Sequence, residues 1–268
     1  MPPFDLEAYE AARSSDPTSG AVGALVRYRD RTASTMDDAR AGAEAGDPCG
    51  TAYVGGEQSA GRGRQGRSWL SAASAGLYVT YLLCPPNPER APLLSIAGGL
   101  AASDAIEAAS GLRTVLKWPN DVLHAGPEGE RKLCGILAES RIRGATFEAF
   151  LGIGINVRAA PLPPDLEAIA TSIEAAGAPP PTTEALLAAL SAALEQWAAC
   201  AAADPTGLID AWRARLVTLD RRVRLAAPGR TIEGEAIDVS PRGELILRLD
   251  DGTTEAFSAG DVTTAPTS

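Results

Sequence analysis

The spacing of apolar and polar residues predicts both helices and strands along most of the chain. Apolar residues at helical spacing predict helices over about residues 34–46, 92–110, 183–203 and 205–216. Short apolar or alternating runs predict strands in "ALVRYRD", "TAYVGGE", "GLYVTYLL", "RTVLKW", "KLCGILAESRI" and "FEAFLGIGINV". The last two strands are expected to pair antiparallel around Gly144. Because strands are clustered and helices are set apart, the order favours an α+β fold over a βαβ repeat.

Local signals define the ends of two of these helices. Ser34 or Thr35 can cap the first, whose first turn carries Asp37 and Asp38 and which should end at Gly46. The helix that begins near residue 92 should end at a second glycine, residue 111.

The pattern changes near both ends of the chain. The first twenty or so residues, rich in Ser, Pro, Gly and Ala, predict a poorly ordered extension with at most one short helix around residues 6–13. After "VTLDRR", four short alternating segments follow, with turns at Pro228-Gly229, 241–243 and Asp251-Gly252. They predict a small β-barrel of about fifty residues. We therefore divide the chain into an extension (1–23), a catalytic domain (24–219) and a barrel (220–268).

Composition narrows the possible functions. The 268-residue chain has a net charge of −10, which argues against non-specific nucleic-acid binding. Its four cysteines are far apart and its N-terminus has no signal-peptide pattern, so we expect a reduced, cytoplasmic protein with single buried thiols. Glu195 and Gln196 interrupt the Ala-rich stretch 185–203, and no membrane-spanning segment is expected. A single histidine, His124, placed in a loop, argues against a zinc site or a histidine-based triad.

The segment "SAGRGRQGRSW", residues 59–69, is unusual in an acidic chain. Its glycines disfavour a helix and its arginines disfavour a core position, so it must be a loop. Glycine permits close approach of the backbone to a ligand, and arginine donates bidentate hydrogen bonds to phosphate or carboxylate. The segment predicts a loop that closes over a small anion, with a solvated turn or a nucleic-acid tail as the alternative.

Several strand ends carry polar groups where packing residues would be expected. "KWPND" places Lys117 and Asp121 around a Trp-Pro turn, "RKLCGIL" places Lys132 at a strand start, and "GIGINV" places Asn156 at a strand end. Each alone is compatible with an ordinary turn or a solvated edge. Together with the loop they supply cations for phosphate charge, a carboxylate for magnesium and a means of excluding water, which indicates nucleotidyl chemistry.

These segments, in this order and spacing, closely resemble biotin protein ligases. The resemblance rests on "STMDDA", "GEQSAGRGRQGRSW", "GLYVTYLL", "KWPNDVL", "RKLCGILAES" and "GIGINV", and it extends from about Ala24 into the C-terminal barrel. It implies a mixed sheet flanked by helices, related to class II aminoacyl-tRNA synthetases, followed by an SH3-like barrel. The chain departs from the family pattern at Met36, where some members have Asn, and at Gln65, where an arginine is frequent.

The resemblance also implies a set of site residues. The implied biotin contacts are Ser34, Thr35, Met36, Gln58, Arg62, Gly63, Arg64, Trp69, Lys132 and Gly135. The implied ATP or adenylate contacts are Arg62, Arg64, Arg67, Lys117, Asn120 and Asn156. Lys132, Lys117 and Arg64 are the implied catalytic residues, and Asp121 is the implied metal ligand.

The implied reaction has two steps. The carboxylate of biotin attacks the α-phosphorus of ATP and pyrophosphate leaves; a lysine of a biotin carboxyl carrier protein then attacks the mixed anhydride to form an amide. Lys117 and Lys132 can neutralise carboxylate and phosphate oxygens, and Asp121 can help to hold Mg²⁺. The implied ligands are therefore biotin, ATP and Mg²⁺, and the implied partner is a carrier domain.

Three alternatives remain at this stage. A lipoate or octanoate transferase would share the fold, but this loop followed by "KWPND" is not expected in one. A biotin-responsive repressor needs a DNA-binding domain, which the residues before Ala24 are too few to form. A nucleic-acid-binding module is disfavoured by the net charge and by the absence of aromatic residues interleaved with the arginines of the loop. Sheet edges of this fold can pair, so a homodimer remains open.

Overall fold

The computed structural model describes residues 4–127, 129–144, 146–227 and 229–264, and a mixed sheet forms its centre. The strands of this sheet are β1 (Val26–Arg29), β2 (Ala52–Gly55), β3 (Gly76–Leu83), β4 (Thr114–Lys117), β5 (Asp121–Gly126), β6 (Gly129–Arg143) and β7 (Thr146–Asn156). The helices are α1 (Leu6–Ser14), α2 (Thr35–Ala45), α3 (Leu93–Ser110), α4 (Pro164–Glu167), α5 (Thr183–Ala203) and α6 (Pro205–Arg213).

The seven strands lie in the order β1-β2-β3-β7-β6-β5-β4. Only β1 and β2 pair in parallel; the other neighbours are antiparallel, including the predicted β6–β7 pair. Both predicted ends of α2 are confirmed: the side chain of Ser34 caps the helix, and Gly46 ends it in the left-handed conformation. Gly111 ends α3 in the same way.

Helices cover both faces of the sheet. On one face, Leu82 and Phe150 pack with Met36, Ala39 and Ala43 of α2. Their sequence neighbours Tyr81 and Leu151 point to the opposite face, into the larger core that contains α3 and α5. This alternation follows from the two-residue period of a strand and confirms the predicted mixed sheet flanked by helices.

The N-terminal segment packs on the main body, so the expectation of a poorly ordered extension is wrong for the described residues. Helix α1 lies against α5, and Tyr9 is 1% exposed. The Tyr9 hydroxyl donates to the carbonyl of Gly23 at 2.8 Å, and burial raises the pKa of this tyrosine. The apolar periodicity of one short helix was too weak to predict that Tyr9 is buried and holds the segment in place.

Helix α5 is long and apolar enough to cross a membrane by length and composition alone, so the expectation that no segment meets this test is wrong. In the structure it is a core helix, with Leu186, Leu187, Leu190 and Leu194 fully buried. The interrupting Glu195 accepts a hydrogen bond from the backbone of Val22 at 2.7 Å and so helps to hold the N-terminal segment.

The C-terminal unit is a five-stranded antiparallel sheet. Its strands are β8 (Arg221–Ala227), β9 (Arg230–Val239), β10 (Leu245–Arg248), β11 (Thr254–Phe257) and β12 (Asp261–Thr264), in the order β11-β10-β9-β8-β12. Four of these strands were predicted, and β12 was missed because only four residues pair with β8. Pro228 of one predicted turn lies outside the described residues.

Two further expectations need correction. Cys49 and Cys84 form a disulfide, so they are not single thiols; Cys134 and Cys200 are free. The register of β2 and β3, with Ala52 opposite Tyr81, brings the two cysteines together across a separation of 35 residues.

His124 lies on β5 and not in a loop. The sequence did not predict strand β5, because its residues stand between the Trp-Pro turn and a Gly-rich segment and therefore look like part of a loop. It pairs with both β4 and β6, so the "KWPND" turn is the hairpin connection between β4 and β5.

Candidate functional site

One cavity of about 550 Å³ gathers all of the predicted site residues. It is lined by the central strands, the loop at residues 59–69 and the C-terminal sheet. The predicted residues that line it are Ser34, Thr35, Met36, Gln58, Arg62, Gly63, Arg64, Arg67, Trp69, Lys117, Asn120, Asp121, Lys132, Gly135 and Asn156. Its volume is in the range of small-molecule sites.

The N-terminus of α2 forms the polar end of the cavity. Thr35 donates through its backbone N–H to Oε1 of Gln58 at 2.9 Å, and its hydroxyl lies 2.8 Å from that of Thr80. Nε2 of Gln58 donates to the hydroxyl of Ser71 at 2.7 Å. The amide of Gln58 is thereby fixed in one orientation, and a ligand with fixed donors and acceptors meets a rigid set of partners.

Trp69 lies flat against two glycines that face each other across β6 and β7. Gly135 and Gly154 are register partners, and a Cβ on Gly154 would lie 2.5 Å from Nε1 of Trp69. The absence of side chains at these two positions makes room for the indole ring. The buried indole N–H of Trp69 has no hydrogen-bond partner among the described residues.

The glycine and arginine loop contains a tight turn at Arg64–Gly66. Gln65 has φ 56° and ψ 34°, and Gly66 has φ 74°, so two successive residues are left-handed. Gln65 adopts this conformation at a cost that glycine does not have. The turn brings Nη1 of Arg64 to 3.1 Å from Oδ1 of Asn120 in the "KWPND" turn.

The steric requirement for glycine in this loop is strongest at Gly61. A Cβ there would overlap the carbonyl oxygen of Trp69, whereas a Cβ on Gly63 would meet nothing nearer than 3.4 Å. For biotin, the substrate that the sequence resemblance implies, we expect Gly61→Ala to lower kcat/KM about tenfold, because relieving the overlap shifts the loop backbone at a cost of about 1–3 kcal/mol. Steady-state kinetics at varied biotin concentration measure the change. Gly63→Ala is the matched control, and an equal loss in both variants would contradict this steric explanation.

Lys132 is held on β6 by two kinds of contact. Its Nζ lies 2.6 Å from Oδ1 of Asp121 and 5.3 Å from the centre of the Trp69 ring. Its backbone pairs with the segment after α4, since its N–H donates to Ile169 and its carbonyl accepts from Thr171. This segment is fastened in turn by Asn156, whose Nδ2 donates to the carbonyl of Thr171 at 2.9 Å.

The cavity carries a local excess of positive charge in a chain whose net charge is −10. Six cationic and three acidic side chains line it. Each of the three carboxylates pairs with one cation: Asp121 with Lys132, Glu130 with Arg221, and Asp261 with Arg67.

Two cations of the cavity face no carboxylate at ion-pair distance among the described residues. Arg64 bonds only to the neutral amide of Asn120, and burial lowers the pKa of its guanidinium. The Lys117 side chain has no hydrogen-bond or ion-pair partner within the described ranges. Arg62, by contrast, pairs with Asp37 of α2. Arg64 and Lys117 are therefore placed to bind an anionic ligand without first breaking an ion pair.

The protein groups around Asp121 can bind Mg²⁺ only together with the phosphate oxygens of a ligand. No cluster of three or more His, Cys, Asp or Glu side chains that could hold a metal occurs in the described part of the chain. Mg²⁺ is commonly bound by one or two carboxylates together with substrate phosphates. The single carboxylate of Asp121 fits that arrangement and does not fit a site made by protein alone.

Sequence reasoning missed several residues of the cavity. Gly154 could have been found, because strand alternation places it on the same face of β7 as the predicted Asn156. Thr80 could not, because no predicted site residue lies on β3. The contribution of the C-terminal unit, through Arg221 and Asp261, had no local signal. It depends on how the two sheets pack.

Comparison with known proteins connects both sheets to one family. Residues 30–156 match the Biotin/lipoate A/B protein ligase family, and residues 218–263 match the Biotin protein ligase C terminal domain. The chain is 37% identical over 243 residues to a biotin--[acetyl-CoA-carboxylase] ligase of Mycobacterium tuberculosis, covering 87% of this chain and 86% of that protein. It is 30% identical to a bifunctional ligase/repressor of Bacillus subtilis, covering 89% and 74% respectively.

A solved structure shows the same fold. The biotin protein ligase of Aquifex aeolicus in complex with biotin and ATP superposes with a TM-score of 0.75 at 25% identity. The match covers 91% of this chain and 100% of the other. It therefore includes both sheets and the cavity between them.

Proposed function

Because the chain belongs to the biotin protein ligase family, we propose that it joins biotin to ATP as biotinyl-5′-AMP and transfers the biotinyl group to one lysine of a biotin carboxyl carrier domain. The chain is a biotin ligase that uses biotin and ATP. The carrier, the residue roles and Mg²⁺ are parts of the proposal.

The observation that carries the proposal is the division of the cavity into two chemically different ends. The end at Thr35 and Gln58 offers fixed hydrogen-bond partners beside the Trp69 ring, which suits the polar ring system and apolar body of biotin. The end at Arg64 and Lys117 offers unpaired positive charge, which suits phosphates.

Lys132 lies between these two ends. Its Nζ is within reach of both the Trp69 face and Asp121, so it can meet the carboxylate of biotin where that group attacks the α-phosphate. A cation placed there stabilises negative charge that develops as the reaction proceeds. Mg²⁺ would supply further charge neutralisation on the phosphates, with Asp121 as its protein ligand.

The mixed anhydride must be protected until the carrier arrives. Water attacks such an intermediate, so a cover that excludes water favours transfer. The loop at residues 59–69 is the part of the cavity wall best suited to this role, because it is mostly exposed, rich in arginine and joined to the surrounding structure by single side-chain contacts at Arg62, Arg64 and Arg67.

The test is direct incubation of the protein with biotin, ATP, MgCl₂ and a purified biotin carboxyl carrier domain, followed by mass spectrometry of the carrier. We expect a mass increase of one biotinyl group on a single lysine. A parallel reaction with octanoate and a lipoyl domain tests the lipoate alternative. Modification of the lipoyl domain alone would overturn the proposal.

We further propose that the chain does not act as a repressor. The net charge of −10 disfavours the many phosphate contacts on which DNA affinity depends. An electrophoretic mobility assay with the promoter of a biotin-synthesis operon, at low salt and with biotinyl-5′-AMP present, should show no shift. A salt-sensitive shift would contradict this part of the proposal.

A further inference from the structure

The geometry points to Asp261, on β12 of the C-terminal sheet, as a positioning residue that holds the glycine and arginine loop in its closed form. Oδ1 of Asp261 lies 2.7 Å from Nη2 of Arg67. Neither family match nor the sequence pattern assigns a role to this contact. The inference concerns the loop and rests on the proposed function only where it refers to ATP.

Arg67 connects Asp261 to the turn that aims Arg64. While one nitrogen of the Arg67 guanidinium bonds to Asp261, Nε donates to the carbonyl of Arg64 at 3.3 Å. The backbone adds two bonds across the same turn, since Gly63 N–H donates to the carbonyl of Arg67 and Arg67 N–H to that of Arg64. One side chain thus spans the C-terminal sheet and the tip of the loop.

The turn needs such a restraint because it contains strain. Gln65 is left-handed without being glycine, a conformation that persists where surrounding contacts over-determine it. Arg67 is the residue at which the turn closes, and its partner Asp261 belongs to a different sheet. Holding Arg67 therefore opposes relaxation of Gln65 and keeps Arg64 directed at Asn120.

Other contacts fix the C-terminal sheet relative to the site, so Asp261 is a stable anchor. Trp118 of the "KWPND" turn donates from Nε1 to the carbonyl of Gly243 at 3.0 Å and from its backbone N–H to Thr218 at 2.9 Å. Arg221 of β8 pairs with Glu130 of β6 at 2.6 Å. The contact at Asp261 differs from these because it reaches the loop and not the sheet.

The test uses trypsin, which cleaves after arginine and has three targets in the loop. Mass mapping gives the rate of cleavage after Arg62, Arg64 and Arg67 in the full-length protein without ligand. We expect Asp261→Ala to raise the rates after Arg64 and Arg67 about threefold to fivefold, as befits a partly exposed ion pair. Asp261→Glu, which keeps the charge, should restore most of the protection.

The matched control is Asp250→Ala. Asp250 forms an ion pair with Arg222 at 2.8 Å in the same sheet, and neither residue lines the cavity. Its loss should leave loop cleavage unchanged. Wild-type cleavage in Asp261→Ala, or an equal rise in Asp250→Ala, would overturn the inference.

A kinetic readout separates this inference from the proposed function. If Arg64 binds ATP, Asp261→Ala should raise KM for ATP threefold to fivefold and leave kcat at saturating ATP unchanged. Faster cleavage with an unchanged KM for ATP would support the inference that Asp261 restrains the loop. It would also overturn the proposal that Arg64 binds the phosphates of ATP. Equal melting temperatures of the variant and wild type exclude general destabilisation as the cause.

Discussion

Alanine in place of Lys132 is expected to lower the rate of biotin-dependent pyrophosphate release by about 10²–10³-fold while the chain stays folded. Lys132 is the cation nearest to both halves of the cavity, with Nζ 2.6 Å from Asp121 and 5.3 Å from the Trp69 ring centre. In the proposed mechanism its charge meets negative charge that grows during the attack on phosphorus, so its loss should affect the chemical step more than binding. Single-turnover measurements with biotin and ATP give this rate.

A second effect should contribute to the loss. Without Lys132, the carboxylate of Asp121 loses its ion-pair partner and keeps only the proposed Mg²⁺ as a counter-charge beside the phosphates. Asp121→Asn in the Lys132→Ala background should not restore the rate, because it also removes the proposed ligand of Mg²⁺. Arg248→Ala, which removes an exposed cation paired with Glu235 far from the cavity, is the control. A rate within threefold of wild type for Lys132→Ala would remove this residue from the proposed mechanism.

Gly154→Ala is expected to weaken biotin binding by about 10–100-fold. A methyl group at this position would lie 2.5 Å from Nε1 and 2.6 Å from Cε2 of Trp69, so the ring must leave its place on the glycine surface. Forced repacking of this kind costs about 1–3 kcal/mol, and the displaced ring would enter the cavity. Isothermal titration with biotin measures the affinity.

Gly152→Ala provides a matched control on the same face of the same strand. A methyl group there would approach the flexible end of Met36 at 3.2 Å, which can move aside. We expect its affinity for biotin to change by less than threefold. Equal affinities in Gly154→Ala and Gly152→Ala would show that the position of Trp69 does not set the shape of the biotin site.

Features that depend on neighbouring residues could be predicted from the sequence. The cap at Ser34, the left-handed end at Gly46 and the β6–β7 pair all follow from local chemistry, and each is confirmed. The site residues could be named because the motif segments resemble those of a known family. The structure adds that they surround one cavity.

Features that depend on packing between distant segments could not be predicted. Strand β12 has four residues and is recognisable only beside β8, and the disulfide of Cys49 and Cys84 requires the β2–β3 register. The same limit applies within the site. Nothing in the sequence around Asp261 indicates that it pairs with Arg67, 194 residues earlier in the chain.

Within the loop, the sequence identified the glycines but not their separate roles. Composition alone treats Gly61, Gly63 and Gly66 as equivalent. The structure distinguishes a glycine with no room for a side chain, one in an extended conformation and one with positive φ. These differences arise from contacts with Trp69 and from the turn geometry, which composition does not contain.

The position of Trp118 has a consequence for the way the whole molecule melts. Its side chain is 1% exposed and belongs to one continuous core that also contains Leu100 of α3 and Leu245 of the C-terminal sheet. Separation of the two sheets would expose core residues of both. Unfolding of one sheet would therefore also expose buried surface of the other. Heat should therefore denature them in a single cooperative transition, with the calorimetric and van't Hoff enthalpies equal, although the proposed domain boundary at residue 219 divides them in the sequence.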